Sequence, residues 1–378
     1  MDERLKGLRL LLTTDAVGGV WTYSLDLARE LSHAGVEIVL AVVGPGPDEE
    51  ARAAARTIPG LGLVDTGLPL DWTAGTPQQI LDAGTSLSAL AREERCGLVQ
   101  LHTPALAAAR SFEVPVISVH HSCIATWWRA VKGEDVDMPE DFRWRAALVA
   151  RGLAASSEVV APSTAHAHAV AETYALPSPP LVIRNGRGQV SASEAESADD
   201  MPPFVFSSGR LWDEGKNFAA LSRAAALIHV PVIAAGATAA PGGADGSFPY
   251  LHQTGRVSED EMRQWLARAS AYVSTALYEP FGLGVLEAAQ AGCPLVLSDI
   301  ASFRELWAGA ALFVPPRDEQ AIAHALAQLV ADQSLRQRLS RRARHRAQHY
   351  TAEAMAKEMM RLYVTRLALH RTRARSAA

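Results

Sequence analysis

Hydrophobic residues along this chain come in short unbroken runs rather than in strict alternation. Residues 8–13 (LRLLLT) and 36–43 (VEIVLAVV) are the first two, and further runs follow at 97–101, 114–120, 159–161 and 181–183. Runs of this length bounded by turn residues predict strands covered on both faces, the condition of a parallel sheet. Between the first two, residues 20–33 carry apolar positions at helical spacing and stop before Gly35, which suits a left-handed helix end. Residues 186–203 (GRGQVSASEAESADDMPP) break the pattern: small, acidic and poor in apolar side chains, they read as an exposed linker. The alternation then restarts, with strands expected at 204–207, 231–235, 271–275, 295–298 and 311–314. Helical runs separate them at 217–228, 259–269, 285–291 and 319–330, and the end of the chain, 334–350 and 352–371, is helical and rich in arginine. The expected fold is α/β: two Rossmann-like, doubly wound domains, 1–185 and 204–351, facing each other across a cleft.

Composition narrows the functional classes. A length of 378 residues suits two such domains, and 48% hydrophobic with 20% charged residues describes a well-packed globular chain. The formal net charge of −5 gives no general attraction to nucleic acid. Cys96, Cys123 and Cys293 are scattered, odd in number and in no zinc spacing, which points to a reducing, cytoplasmic setting. The first apolar run is too short for a signal peptide or a membrane span.

The stretch richest in chemistry is 278–289 (YEPFGLGVLEAA), between a predicted strand and a helix that stops at Gly292 with Pro294 beyond. Gly282 and Gly284 let a ligand approach the backbone, and the free N–H groups of a helix start suit an anionic or hydroxyl-rich molecule. Glu279 precedes the helix and Glu287 lies in its first two turns, so two carboxylates can accept hydrogen bonds from two sets of sugar hydroxyls. The plainer reading is an acidic helix start that complements the helix dipole.

The segment resembles glycosyltransferase family 4, the retaining enzymes of GT-B fold, whose signature is Glu-Phe-Gly followed by Glu-Ala. The resemblance extends to Gly18-Gly19-Val20 with Leu27-Ala28-Arg29-Glu30-Leu31, to Val182-Ile183-Arg184-Asn185-Gly186, to Gly209-Arg210-Leu211 and Gly255-Arg256-Val257, and to 293–299 followed by Glu305. It implies that Glu279, with the backbone of Phe281, Gly282 and Leu283, holds the donor sugar. It further implies that Glu287 takes the ribose and that Arg210 and Lys216 bind the diphosphate. Gly18, Gly19, Arg256 and Val257 join the donor-binding positions, and a final helix over 352–378 crosses back to the first domain. Two cations neutralising a departing diphosphate do what a metal does elsewhere, so no metal and no further cofactor is expected. Here Gly-Arg-Leu-Trp-Asp-Glu-Gly-Lys-Asn is one residue longer than the family's spacing, but a lysine side chain has the reach to compensate.

His120, at the end of the run PVISVH, corresponds to a histidine facing the reaction centre, where it would bond a donor hydroxyl or orient the acceptor; His121 replaces it if the strand runs one residue longer. Trp127 and Trp128 offer an acceptor platform or, more plainly, a packed pair. Asp135-Val136-Asp137 imitates a metal motif but follows no apolar strand. Arg361, Arg366, Arg371, Arg373 and Arg375 would reach anionic lipid at the inner membrane face or simply be solvated. The function implied is transfer of a sugar from a nucleoside-diphosphate sugar to a saccharide, a lipid-linked or a small-molecule acceptor in polysaccharide biosynthesis. The competing classes are a nucleotide-sugar epimerase or hydrolase and a non-catalytic partner of the same fold. A nicotinamide dehydrogenase is disfavoured by the missing G-x-G-x-x-G.

Overall fold

The computed structural model describes residues 3–188, 202–240, 243 and 246–377. The chain forms two compact units, Met1–Gly186 together with Ala352–Ala378, and Arg187–Thr351.

The first unit holds a seven-stranded parallel sheet. Its strands are β1 (Arg9–Thr14), β2 (Glu37–Val42), β3 (Leu61–Asp65), β4 (Leu98–Leu101), β5 (Val116–Val119), β6 (Glu158–Ala161) and β7 (Leu181–Val182), in spatial order β3-β2-β1-β4-β5-β6-β7. The connections carry α1 (Gly19–His33), α2 (Glu49–Arg56), α3 (Pro77–Glu93), α4 (Ile124–Lys132), α5 (Glu140–Ala155) and α6 (Thr164–Thr173). On one face Leu11, Val39 and Val99 meet Ile80 and Leu87 of α3 and Leu148 and Val149 of α5.

The second unit repeats the plan with six parallel strands. They are β8 (Val205–Ser208), β9 (Val232–Ala235), β10 (His252–Gly255), β11 (Ala271–Ser274), β12 (Leu295–Ser298) and β13 (Ala311–Val314), in order β10-β9-β8-β11-β12-β13. Its helices are α7 (Phe218–Ala225), α8 (Glu259–Arg268), α9 (Leu283–Ala291), α10 (Ala301–Trp307), α11 (Glu319–Ala331) and α12 (Gln333–Ala347). Successive strand residues point to opposite faces. Phe206, Tyr272 and Leu295 therefore pack with Leu286 of α9, Phe303 of α10 and Ala343 of α12. Val205, Val273 and Val296 pack with Leu221 of α7 and Leu326 of α11 on the other side.

The last helix, α13 (Ala352–Ala377), belongs to the first unit. Its Tyr363 hydroxyl donates to Gln100 Oε1 of β4 at 2.5 Å. Its Arg366 pairs with Glu158 of β6, so this arginine is held by a partner rather than left to solvent. No helix among the described residues is long and apolar enough to cross a membrane.

Some expectations shift. β3 and β10 have no counterpart in the sequence reading; each is an edge strand with a half-open burial pattern, so it lacks the apolar run that marks its neighbours. Helix α7 begins at Phe218, because Asn217 takes a left-handed conformation (φ 57°) and precedes the helix instead of joining it. The stretch read as linker begins inside the fold: Gly186 closes one unit and Arg187 opens the other, while its middle, 189–201, lies outside the described residues.

Candidate functional site

In the second unit, the loops at the carboxyl ends of β8 and β11 are tied to each other before any side chain is considered. The chain leaves β8 through Gly209 and Arg210 and makes a short 3-10 turn over Glu214–Lys216. Asp213 caps that turn, its Oδ1 accepting the Gly215 N–H at 2.9 Å. The Gly215 carbonyl accepts from the N–H groups of Leu277 and Tyr278, at 2.8 and 3.2 Å. Asn217 Nδ2 donates to the carbonyls of Thr275 (2.9 Å) and Pro316 (2.6 Å), and Thr275 Oγ1 donates back to Asn217 O (3.0 Å). This lacing brings Lys216 Nζ within 2.5 Å of Glu279 Oε2, with both side chains mostly buried. Ser302 Oγ, donating to Glu279 O at 2.5 Å, fixes the backbone of that glutamate.

Gly282 then takes φ +90°, a conformation that L side chains avoid, and opens α9 with no side chain to cap it. The first turn of α9 rests on Tyr272: a Cβ added at Gly284 would lie 2.8 Å from the Tyr272 hydroxyl. Burial raises the Tyr272 phenol above its ordinary range; a hydrogen bond with Ser208 opposes the rise, and the charges of Glu287 and Glu279 add to it. Phe281 is buried and Leu283 half-buried in the apolar layer beneath.

Arg210 donates from Nη2 to Asp213 Oδ2 at 2.7 Å, and its guanidinium lies 5.3 Å from the Trp212 ring centre. Behind it Gly236, after β9, approaches so closely that a Cβ there would sit 1.8 Å from the Gly209 carbonyl oxygen. Glu287, one turn inside α9, forms an ion pair with Arg187, whose Nε lies 3.0 Å from Oε1. Val257 packs half-buried against the core that holds Phe206 and Tyr272, and Arg256 is exposed just past β10. The structure thus brings Lys216 together with Glu279, and Arg210 with the turn that carries Lys216. The sequence reading missed Arg187, Asp213, Gly236, Tyr272 and Ser302. Only Asp213 carried a local signal, an Asp two residues before a Gly in a turn.

The first unit presents different chemistry at its strand ends. Asp15 Oδ1 accepts the Val17 N–H at 2.9 Å, and Gly18 then opens α1 in an extended conformation with no capping side chain; Gly19 is exposed. Gln100 accepts from Tyr363 through Oε1, so its Nε2 donates to His102 Nε2 at 2.9 Å. This leaves the His102 proton on Nδ1, 3.3 Å from Ser24 Oγ. Burial, and then the nearby His121, hold His102 well below the usual histidine range, in keeping with a neutral ring. The rings of Tyr23, His102 and His121 meet edge to face, with centroids 4.6–5.1 Å apart.

His120 is fully buried, just past the end of β5. Its Nδ1 lies 2.9 Å from His166 Nε2, whereas its neighbour His121 turns to Tyr23 and His102 and is partly exposed. Burial pushes His121 down to about 3, with His120 adding to the effect. Burial also raises Asp71, to about 6, against the Trp72 N–H and Arg145; Asp15 adds to the rise and His120 opposes it, so loops after β1, β3 and β5 converge here. Trp127 and Trp128 are half-buried, and Trp128 is committed to its own segment: Nε1 donates to Val136 O at 2.8 Å and the ring meets Phe142 edge-on. Asp135 and Asp137 are exposed, and among the described residues no group of three or more His, Cys, Asp or Glu side chains is placed to hold a metal.

Two family profiles match this chain. Residues 17–187 match Glycosyltransferase Family 4, and residues 250–346 match Glycosyl transferases group 1. The chain belongs to glycosyltransferase family 4. Among relatives, this glycosyltransferase is 33% identical to the O-antigen chain mannosyltransferase B of Escherichia coli over 88 residues, 23% of either chain. The matched stretch thus spans under a quarter of that relative's length. Among solved structures, sucrose-phosphate synthase from Thermosynechococcus elongatus aligns with a TM-score of 0.80 at 19% identity, covering 96% of this chain and 100% of that one. Anabaena HepE in complex with UDP and glucose aligns at 0.70 and 16% identity, covering 95% and 100%. At these identities the structural likeness speaks for the fold, two Rossmann-like domains of GT-B type.

Proposed function

We propose that this glycosyltransferase moves a hexosyl unit from a nucleoside-diphosphate sugar to a hydroxyl of a saccharide, lipid-linked or small-molecule acceptor, with retention of anomeric configuration and without a metal. The contact between Lys216 and Glu279, beside the uncapped start of α9, carries this reading. A carboxylate at that place accepts from sugar hydroxyls, and the ammonium next to it, with Arg210, neutralises the charge that grows on the diphosphate as its bond to the anomeric carbon breaks. Glu287 takes the ribose hydroxyls. HepE, similar in fold, binds UDP and glucose, which supports a nucleotide sugar as donor.

The test is a thermal-shift screen of UDP-, GDP- and ADP-sugars, because a ligand that binds only the folded chain raises its melting temperature. One donor is expected to stand out, to be turned over after exhaustive EDTA treatment, and to give a product with the donor's anomeric configuration by NMR. No stabilisation by any nucleotide sugar sinks the donor assignment; an inverted product sinks retention. Activity lost in EDTA and restored by manganese or magnesium sinks metal independence.

A further inference from the structure

Arg187 stands in none of the motifs above, yet it is fixed at both ends. Its backbone N–H donates to Tyr350 O at 3.1 Å, and the residue bridges Thr351 in parallel. Its guanidinium reaches α9, where Nε lies 3.0 Å from Glu287 Oε1; the two side chains are 14% and 21% exposed. One turn further along α9, Gln290 Nε2 donates to Gly188 O at 3.4 Å, so the same helix grips two consecutive residues of this segment. Glu259 also approaches, 4.0 Å from Nη2, but it is 73% exposed and far less constrained.

We propose that Arg187 is the positioning residue for Glu287, holding its carboxylate ionised and aimed at the vicinal hydroxyls of the donor's ribose. The proposal rests on the reading of Glu287 as the ribose carboxylate. A mostly buried carboxylate deprived of its counter-charge is driven to take up a proton or to turn toward solvent. Either change costs it the ability to accept from two neighbouring hydroxyls. An ionised carboxylate offers about four acceptor directions, so it can hold a guanidinium and a diol together. The two groups meet as an ion pair, Nε 3.0 Å from Oε1, so the hold on the carboxylate is electrostatic.

Calorimetric titration with UDP, GDP and ADP and with their 2′,3′-dideoxy forms tests this on the full chain. For the nucleotide that binds best, wild type should prefer the ribose form about tenfold or more, the worth of a hydrogen bond to a charged group. Arg187→Met should lose most of that preference while binding the dideoxy form as wild type does. Glu287→Gln should behave the same way. Should Arg187→Met not fold, Arg187→Gln decides: a polar side chain without the charge should lower the preference at least about threefold. A preference that survives unchanged in the Arg187 variants overturns the proposal alone. A wild type that does not distinguish ribose from dideoxyribose overturns the reading of Glu287, and the positioning role with it.

Discussion

The two units build nearly the same sheet and equip its strand ends in opposite ways. In the second, the functional candidates are charged and already paired: Lys216 with Glu279, Arg210 with Asp213, Arg187 with Glu287. In the first, the equivalent ground is held by histidines whose burial keeps them neutral, linked by edge-to-face rings and hydrogen bonds. A pre-formed ion pair at a site can exchange its partners for a ligand's groups: on the proposed function, Lys216 would release a carboxylate to meet a phosphate, and Glu279 an ammonium to meet hydroxyls. The charge is solvated by protein until the ligand arrives, so no bare ion is left buried. A network of neutral rings has no charge to exchange; it recognises by shape and by single hydrogen bonds. On the function proposed above, the ionic part of the donor would fall to the second unit and uncharged groups to the first.

The strongest way to break this contrast is at the pairs themselves. Arg210→Ala is expected to fold and to lose on the order of 10²–10³ in turnover, the cost of removing one contact to developing charge, and Glu279→Ala to fold and lose turnover because the donor sugar is no longer held in place. His120→Ala, in the first unit, should leave nucleotide affinity near that of wild type. Near-normal turnover in purified Arg210→Ala, or abolished nucleotide binding in folded His120→Ala, would invert the assignment. A smaller effect concerns rigidity. The close approach of Gly236 to the Gly209 carbonyl involves backbone on both sides, so neither can yield cheaply. Gly236→Val should lower stability by about 2–3 kcal/mol in denaturant titration; a variant as stable as wild type would show that the loop carrying Arg210 is soft.

The smallest effect sharpens the view of the first unit. The folded chain holds the Asp71 proton more tightly than the unfolded one, its pKa being raised to about 6. The stability this gives is present below the ordinary carboxyl range and is lost as pH rises through about 6. Asp71→Asn should therefore match wild type near pH 4 and exceed it at pH 8, by about 1–2 kcal/mol, less than the full shift because the residue is only half-buried. Equal melting temperatures at both pH values would remove Asp71 from the buried group.

What could be read in advance depended on whether the information was local. Strands such as β1 and β12 announce themselves because three or four consecutive apolar residues are buried on both faces. β10 (HQTG) has one neighbour and open faces, and its sequence looks like a loop. At the candidate site, Glu279, Gly282 and Glu287 lie within one short segment at a helix start, where the spacing is weak by itself and the family resemblance singles them out. The Lys216–Glu279 contact was not: it depends on Gly215 and Asn217 binding a loop far along the chain. Arg187 was hidden for a different reason. It sits at the rim of a polar, acidic stretch, and composition averaged over that stretch cannot reveal one arginine that turns inward.

The parallel bridge between Arg187 and Thr351 joins the first and last residues of the second unit. The Gly186 N–H, 3.3 Å from Met355 Sδ, sets the matching ends of the first unit beside each other. In the language of chain architecture, the second sheet is a cassette spliced into the first fold through a single port. Termini that meet are the condition under which a domain can be lifted out, permuted or replaced without unravelling its host. A junction of a few residues from Gly186 to Ala352 would close the host, and the excised cassette would begin and end on its own hydrogen bond.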